Sequence, residues 1–223
     1  MSGPVPPDVV SLPDYERHAR DRLPADIWAY VAGAGADGLT RQRNRAAFDR
    51  TELAGRVLAD MTGASTATTL FGIEMPFPLL LAPVAYQRLA HPDGELATAL
   101  GAASCGAAMC VSTLASATLE EIAAQASSPL IFQLYMQGGR EAALSLVRRA
   151  EDAGYRALMV TVDAPVNGVR NDEQRAGFLA DDVSLLRRGA VLLAEHTGQQ
   201  ERGDVRHGWW PFLRAGAGRW RGR

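Results

Sequence analysis

Three short apolar runs in the middle of the chain end on side chains that can do chemistry. AMCVST ends on Ser112 and Thr113, LIFQLY carries Gln133 and Tyr135, and ALMVTV contains Thr161 and is followed by Asp163. Neutral hydroxyl and amide groups both give and accept hydrogen bonds, which suits the lining of a pocket. Each of Ser112, Gln133 and Thr161 alone reads equally well as a strand-end cap, but their recurrence at three successive ends favours a lined pocket. Asp163, followed by Ala164 and Pro165, also reads as a turn aspartate. Cys105 and Cys110 lie five apart with no histidine nearby, a poor metal site, and are expected to be buried small apolar residues. All 23 basic residues are arginine. Chemistry that needs a lysine Schiff base, a lysine nucleophile or the lysine of a phosphate-binding P-loop is therefore excluded from this sequence.

The elements that must position these residues follow from patterning. Four prolines near the start (Pro4, Pro6, Pro7 and Pro13) predict a loose leader. From Asp14 to about Ala32, Tyr15, Ala19, Leu23, Ile27, Tyr30 and Val31 recur at helical spacing, with Pro24 opening a second helix in its first turn. Thr40–Phe48 predicts a further short helix, and Leu53–Leu70 irregular or short-stranded cover. FPLLLAPVA, Phe77–Ala85, predicts a strand buried on both faces. Helices are expected over Gly94–Cys105, over Thr118–Ala126 with a capping box of Thr118 and Glu121, and over Arg140–Ala153. Between them lie strands at Ala108–Thr113, Leu130–Tyr135 and Ala157–Val162. Alternation at about 25 to 30 residues per unit argues for parallel βα units. Polar residues at the C-terminal strand ends and the lack of a G-x-G-x-x-G after the first strand favour a (β/α)₈ barrel over a doubly wound sheet. About four units are visible, against the eight strands and about 250 residues of a whole barrel. The expected fold class is α/β: the N-terminal half of a TIM barrel with preceding helices.

Composition adds boundaries. The chain has 223 residues, is 47% hydrophobic and has a formal charge of −2, which excludes wholesale disorder. No apolar stretch approaches the roughly 18–20 residues that span a bilayer, and the start lacks the pattern of a secretory signal. With two cysteines a reduced, cytoplasmic setting is expected, with no membrane partner. From Arg202 to Arg223 the tail is near +5 and holds three of the four tryptophans, while the remainder is near −7. The expected organisation is therefore a leader over 1–13, a half-barrel over 14–200 and a basic Arg/Gly/Trp tail over 201–223.

LPADIWAYVAGAG, LLLAPVAYQRLAHPDGELA, CVSTLASATLEEIA, FQLYMQ and LVRRAEDAGYRALMVTVDAPVNGVR, in that order, resemble the FMN-dependent 2-hydroxy acid oxidase and dehydrogenase family of glycolate oxidase, lactate oxidase and mandelate dehydrogenase. The resemblance runs from about Tyr15 to Phe178, and APVAYQRLAHP is most similar to the branch that oxidises mandelate-like substrates. It implies FMN as cofactor, with the backbone of Pro83, Val84 and Ala85 against the flavin ring and Ser112, Gln133 and Thr161 hydrogen-bonded to it. It implies a small 2-hydroxy acid as substrate, contacted by Tyr30, Tyr135 and Arg170, and Asp163 orienting a catalytic histidine. Without the resemblance, Tyr30 reads as a core tyrosine, and Arg170 equally as a solvated loop arginine.

The second half of that family supplies a flavin-contacting lysine, a histidine in an S-N-H-G-G context, an arginine just after it and a Gly-rich phosphate site. None has a match in this sequence, and His18, His91, His196 and His207 all lie in other contexts. Val169 stands where arginine is usual, and Leu114 where tryptophan is common. The expectation is a chain inactive by itself, its tail either a disordered extension or, as the preferred reading, the product of reading-frame loss or truncation before a fifth strand. Two alternatives remain: a non-catalytic half-barrel that pairs with another chain, including a second copy, and a nucleic-acid-associated protein acting through the basic tail.

Overall fold

The computed structural model describes residues 5–136, 139–162 and 168–178. These residues fall into two units, one helical and one built on a sheet. The helical unit contains α1 (Leu12–Arg22), α2 (Ala25–Ala32), α3 (Leu39–Asp49) and, from much later in the chain, α7 (Asn171–Ala176). Asp14 starts α1 by reaching back to the Ser11 amide at 2.8 Å and hydroxyl at 2.7 Å. These bonds, with Arg17 beside it, hold the Asp14 carboxyl well below the usual carboxylate range. Pro24 is the N-cap of α2 rather than part of its first turn, and its carbonyl accepts the Trp28 amide at 2.8 Å. None of the four helices has a fully buried residue.

The sheet unit opens with a hairpin, β1 (Thr68–Leu70) and β2 (Ile73–Met75). Phe71 and Gly72 form its turn with φ of 52° and 74°, the sense that matches strand twist. Next come β3 (Leu80–Leu81), a 3₁₀ turn (Gln87–Leu89), α4 (Gly94–Cys105), β4 (Ala108–Val111), α5 (Leu119–Gln125), β5 (Leu130–Leu134), α6 (Gly139–Asp152) and β6 (Ala157–Val160). The four later strands form one parallel sheet in the order β3-β4-β5-β6. Each helix returns the chain to the neighbouring strand, as parallel pairing requires.

The two faces of this sheet have different cover. Met109 and Val111 of β4 and Leu130, Phe132 and Leu134 of β5 pack in one cluster with residues of α4, α5 and α6. The alternate residues, Ala108, Cys110, Ile131 and Ala157, pack with Ile73 and Met75 of the hairpin. Tyr155, at the end of the α6–β6 connection, lies edge-on to Phe132 with ring centres 6.2 Å apart and donates to the Leu119 carbonyl at 3.1 Å. The α5 cap is as expected: the Thr118 hydroxyl accepts the Glu121 amide, and Glu121 accepts the Thr118 amide. Arg149 of α6 grips Glu120 of α5 through two bonds of 2.8 Å, which holds the Glu120 carboxyl below its usual value.

Two expectations need correction. The Phe77–Ala85 strand shrinks to Leu80–Leu81, and it is not buried on both faces: Leu80 is half-buried, and Leu79 and Leu81 are exposed. Pro76, Pro78 and Pro83 have no N–H for a ladder, and among the described residues β3 pairs on one side. Of the two cysteines, Cys110 is buried but Cys105, the last residue of α4, is exposed. The tail over 201–223 and Asp163 lie outside the described residues.

Candidate functional site

Side chains alternate along a strand, so the face carrying Cys110, Ile131 and Ala157 continues through Ser112, Gln133 and Thr161 at the C-terminal ends of β4, β5 and β6. The structure brings these three together. Gln133 is almost fully buried, and its amide joins all three strands. Its Oε1 accepts the Thr113 amide at 3.2 Å and the Ser112 hydroxyl at 3.4 Å, while its Nε2 donates to Thr161 Oγ1 at 2.8 Å. Ser112 Oγ in turn accepts the Leu114 amide at 3.1 Å. Thr113 extends the ladder with its side chain: Oγ1 donates to the Gln133 carbonyl at 2.5 Å and accepts the Tyr135 amide at 3.0 Å. Beneath this row burial pushes the Cys110 thiol up to about 11, so it stays protonated and neutral.

Hydrogen-bonding capacity is left over. The amide nitrogen of Gln133 carries two protons, and one goes to Thr161. Thr161 accepts that bond, and its own hydroxyl proton has no acceptor among the described residues. Among the described residues the row therefore keeps two donors without an acceptor, one on Gln133 and one on Thr161, and all of its groups are neutral.

Pro83, Val84 and Ala85 follow β3 as irregular chain. Their turn is tied to the loop after β4, where the Tyr86 amide donates to the Leu114 carbonyl at 3.0 Å. Tyr135, half-buried, directly follows β5.

In the helical unit Tyr30 and Arg170 meet. The Tyr30 ring stacks on Phe178 at 4.7 Å, with the Arg170 guanidinium 5.8 Å from the Tyr30 ring centre. Arg170 also donates to the Tyr30 carbonyl at 2.8 Å and to Glu173. The last turn of α2 has no basic residue of its own, and its open carbonyls at Tyr30 and Ala32 are filled by Arg170 and Arg41. Gly33 closes the helix without a side chain: a Cβ there would strike the Ala29 carbonyl oxygen. Arg170 is thus neither a free loop arginine nor a bare anion site.

Sequence reasoning missed Glu95 and its neighbours. Glu95, in the first turn of α4, is fully buried and accepts backbone amides from two different loops. Gly94 before it has φ +47° and no room for a Cβ, which would lie 2.8 Å from Arg88 Cγ, but no local pattern in the sequence signals the burial of Glu95.

The model of FMN-dependent dehydrogenases matches residues 19–205. This chain belongs to that family. It is 47% identical over 182 residues to an L-lactate oxidase of Alicycliphilus denitrificans, covering 81% of this chain and 50% of the relative. It is 46% identical over 203 residues to a 4-hydroxymandelate oxidase of Amycolatopsis orientalis, covering 86% and 57%. Among solved structures it is similar to mandelate oxidase with 3,3-difluoro-2-hydroxy-3-phenylpropionic acid, at 44% identity and a TM-score of 0.73, over 76% of this chain and 51% of that one. The chain spans about half the length of the curated relatives it matches. FMN is the cofactor that this family brings by resemblance, and the strand-end row fits it: neutral, with spare donors for ring nitrogens and oxygens.

Proposed function

We propose that the protein serves the FMN-dependent oxidation of a small, mandelate-like 2-hydroxy acid to its 2-oxo acid, and that this chain supplies the flavin-facing strand ends. The observation that carries the reading is the Gln133 amide, which joins Ser112, Thr113 and Thr161 at three adjacent strand ends and spends only one of its two protons among the described residues. Bound FMN would supply the redox chemistry, accepting two electrons from the substrate. Ser112, Gln133 and Thr161 would hold the ring edge, with the backbone of Pro83, Val84 and Ala85 against its face. Tyr30, Tyr135 and Arg170 would contact the substrate, Arg170 through the forked donors that suit a carboxylate. To do so Arg170 must exchange its bond with Glu173 for the ligand. Asp163 would orient the histidine that takes the proton.

That histidine has no counterpart among these 223 residues, because no S-N-H-G-G segment occurs in them. We therefore expect the chain alone to bind flavin without turning over. A half-barrel acting through another chain is the second reading, supported by the exposed apolar residues Leu79, Leu81, Met159 and Val162 in and beside the outer strands. Two unpaired cysteines support a reduced, cytoplasmic setting. The test is an anaerobic visible spectrum of the FMN-supplied chain, before and after adding lactate, glycolate and mandelate. A perturbed flavin band that no acid bleaches is expected. An unperturbed band removes the flavin reading, and bleaching removes the claim that the chain is inactive alone.

A further inference from the structure

We propose that Glu95 is a positioning residue: a buried brace that fixes the flavin-facing turn after β3 against the loop after β4. This rests on the strand-end reading above and adds to it a residue that touches neither flavin nor substrate. α4 reads GELATALGAASC, and Glu95 is its only charged side chain. A carboxylate taken wholly out of water is costly unless it is hydrogen-bonded, and alanine or leucine would fill the same helix position without that cost. What a carboxylate oxygen can do there is accept twice. Glu95 Oε1 takes the Gln87 amide at 3.2 Å and the Ser116 amide at 2.8 Å, one from each loop.

The surrounding bonds run between the same two segments. The Arg88 amide donates to Ser116 Oγ at 3.2 Å, and Arg88 Nη1 donates to the Ser116 carbonyl at 3.3 Å. Thr98, one turn along α4, donates to Gln87 Oε1 at 2.6 Å, and Gln87 Nε2 reaches the Val84 carbonyl at 3.4 Å. A hydrogen-bonded path therefore leads from Glu95 through Gln87 to Val84, and a second bond from Glu95 holds the loop after β4 at Ser116. Gly94 allows it: a Cβ would strike Arg88 Cγ at 2.8 Å and force the turn away from the helix. The second oxygen, Oε2, is buried and has no hydrogen-bond partner among the described residues, so the work falls on Oε1 and on the length of the side chain.

The role depends on reach, and two variants of the full chain separate reach from charge. Glu95→Gln keeps the length and an accepting oxygen; Glu95→Asp keeps the charge but is one methylene shorter. Amide hydrogen exchange at Gln87 and Ser116 should quicken about tenfold or more in E95D, while Cys110 and Phe132 in the middle strands keep their protection. E95Q should stay within about threefold of wild type at all four sites. FMN affinity, read by flavin fluorescence, should follow the same order, falling about tenfold in E95D and little in E95Q. The reverse order, unchanged exchange in E95D, or protection lost equally at all four amides overturns the proposal. If the wild-type chain does not bind FMN, the flavin reading fails, while the exchange data still decide whether Glu95 braces the loops.

Discussion

The middle and outer strands of the parallel sheet run in the same direction in different surroundings. Every residue of β4 and β5 is buried, whereas β3 goes from half-buried to exposed and β6 leaves Met159 39% exposed. The middle pair is clamped between helices on one face and the β1–β2 hairpin on the other. The candidate site follows this division. Ser112 and Gln133, on the middle strands, are buried and mutually bonded. Thr161, at an outer strand, is half-buried and held by Gln133. The turn after β3 depends on bonds to the β4 loop and to Glu95. Polar side chains thus tie the margins of the sheet to its middle strands.

The largest expected effect tests the packing side of this comparison. Phe132→Ala removes a fully buried ring from β5 and should cost about 3–5 kcal/mol, measured by denaturant unfolding. Met159→Ala in β6 should cost less than about 1 kcal/mol, since much of that side chain already meets water. Equal costs would erase the distinction between middle and outer strands.

Gln133→Leu keeps the volume but deletes the amide, leaving Ser112, Thr113 and Thr161 without their shared partner. A loss of about 1–3 kcal/mol is expected in the same assay. Tyr155 gives a pH-dependent test. Burial raises its phenol above the ordinary value near 10, so its contribution is complete below that pH and is lost as pH rises through and beyond it. Tyr155→Phe should therefore flatten the alkaline limb of a stability–pH curve while costing about 1 kcal/mol at neutral pH, the loss of its bond to the Leu119 carbonyl. A small effect is also expected at the α5 cap, where Thr118→Ala should cost about 0.5–1 kcal/mol and leave β4 and β5 protected from exchange.

Much of this was legible from local pattern. The strands β4, β5 and β6 lie within the predicted runs, and the Thr118–Glu121 box starts α5, because apolar runs and caps are local signals. The grouping of Ser112, Gln133 and Thr161 was legible too, since successive parallel strands place equivalent ends side by side. The shortness of β3 was harder to see. LLL suggests a strand, but the flanking prolines limit its pairing and its outer position leaves it uncovered. Glu95 was invisible in pattern: its value comes from Ser116, 21 residues later, and from Gln87 before it. Arg170 was ambiguous because its partners, Tyr30 and Glu173, lie 140 residues and three residues away, one beyond the reach of pattern and the other a routine helix pair.

The flavin-facing role proposed for Ser112, Gln133 and Thr161 rests on the Gln133 amide that joins them. Its most direct test is a side-by-side fluorescence titration of FMN with the wild-type chain and Q133L, at matched folded fractions. Quenching with the wild type and an affinity at least about tenfold weaker in Q133L are expected. Equal quenching by both, or none by the wild type, would contradict it.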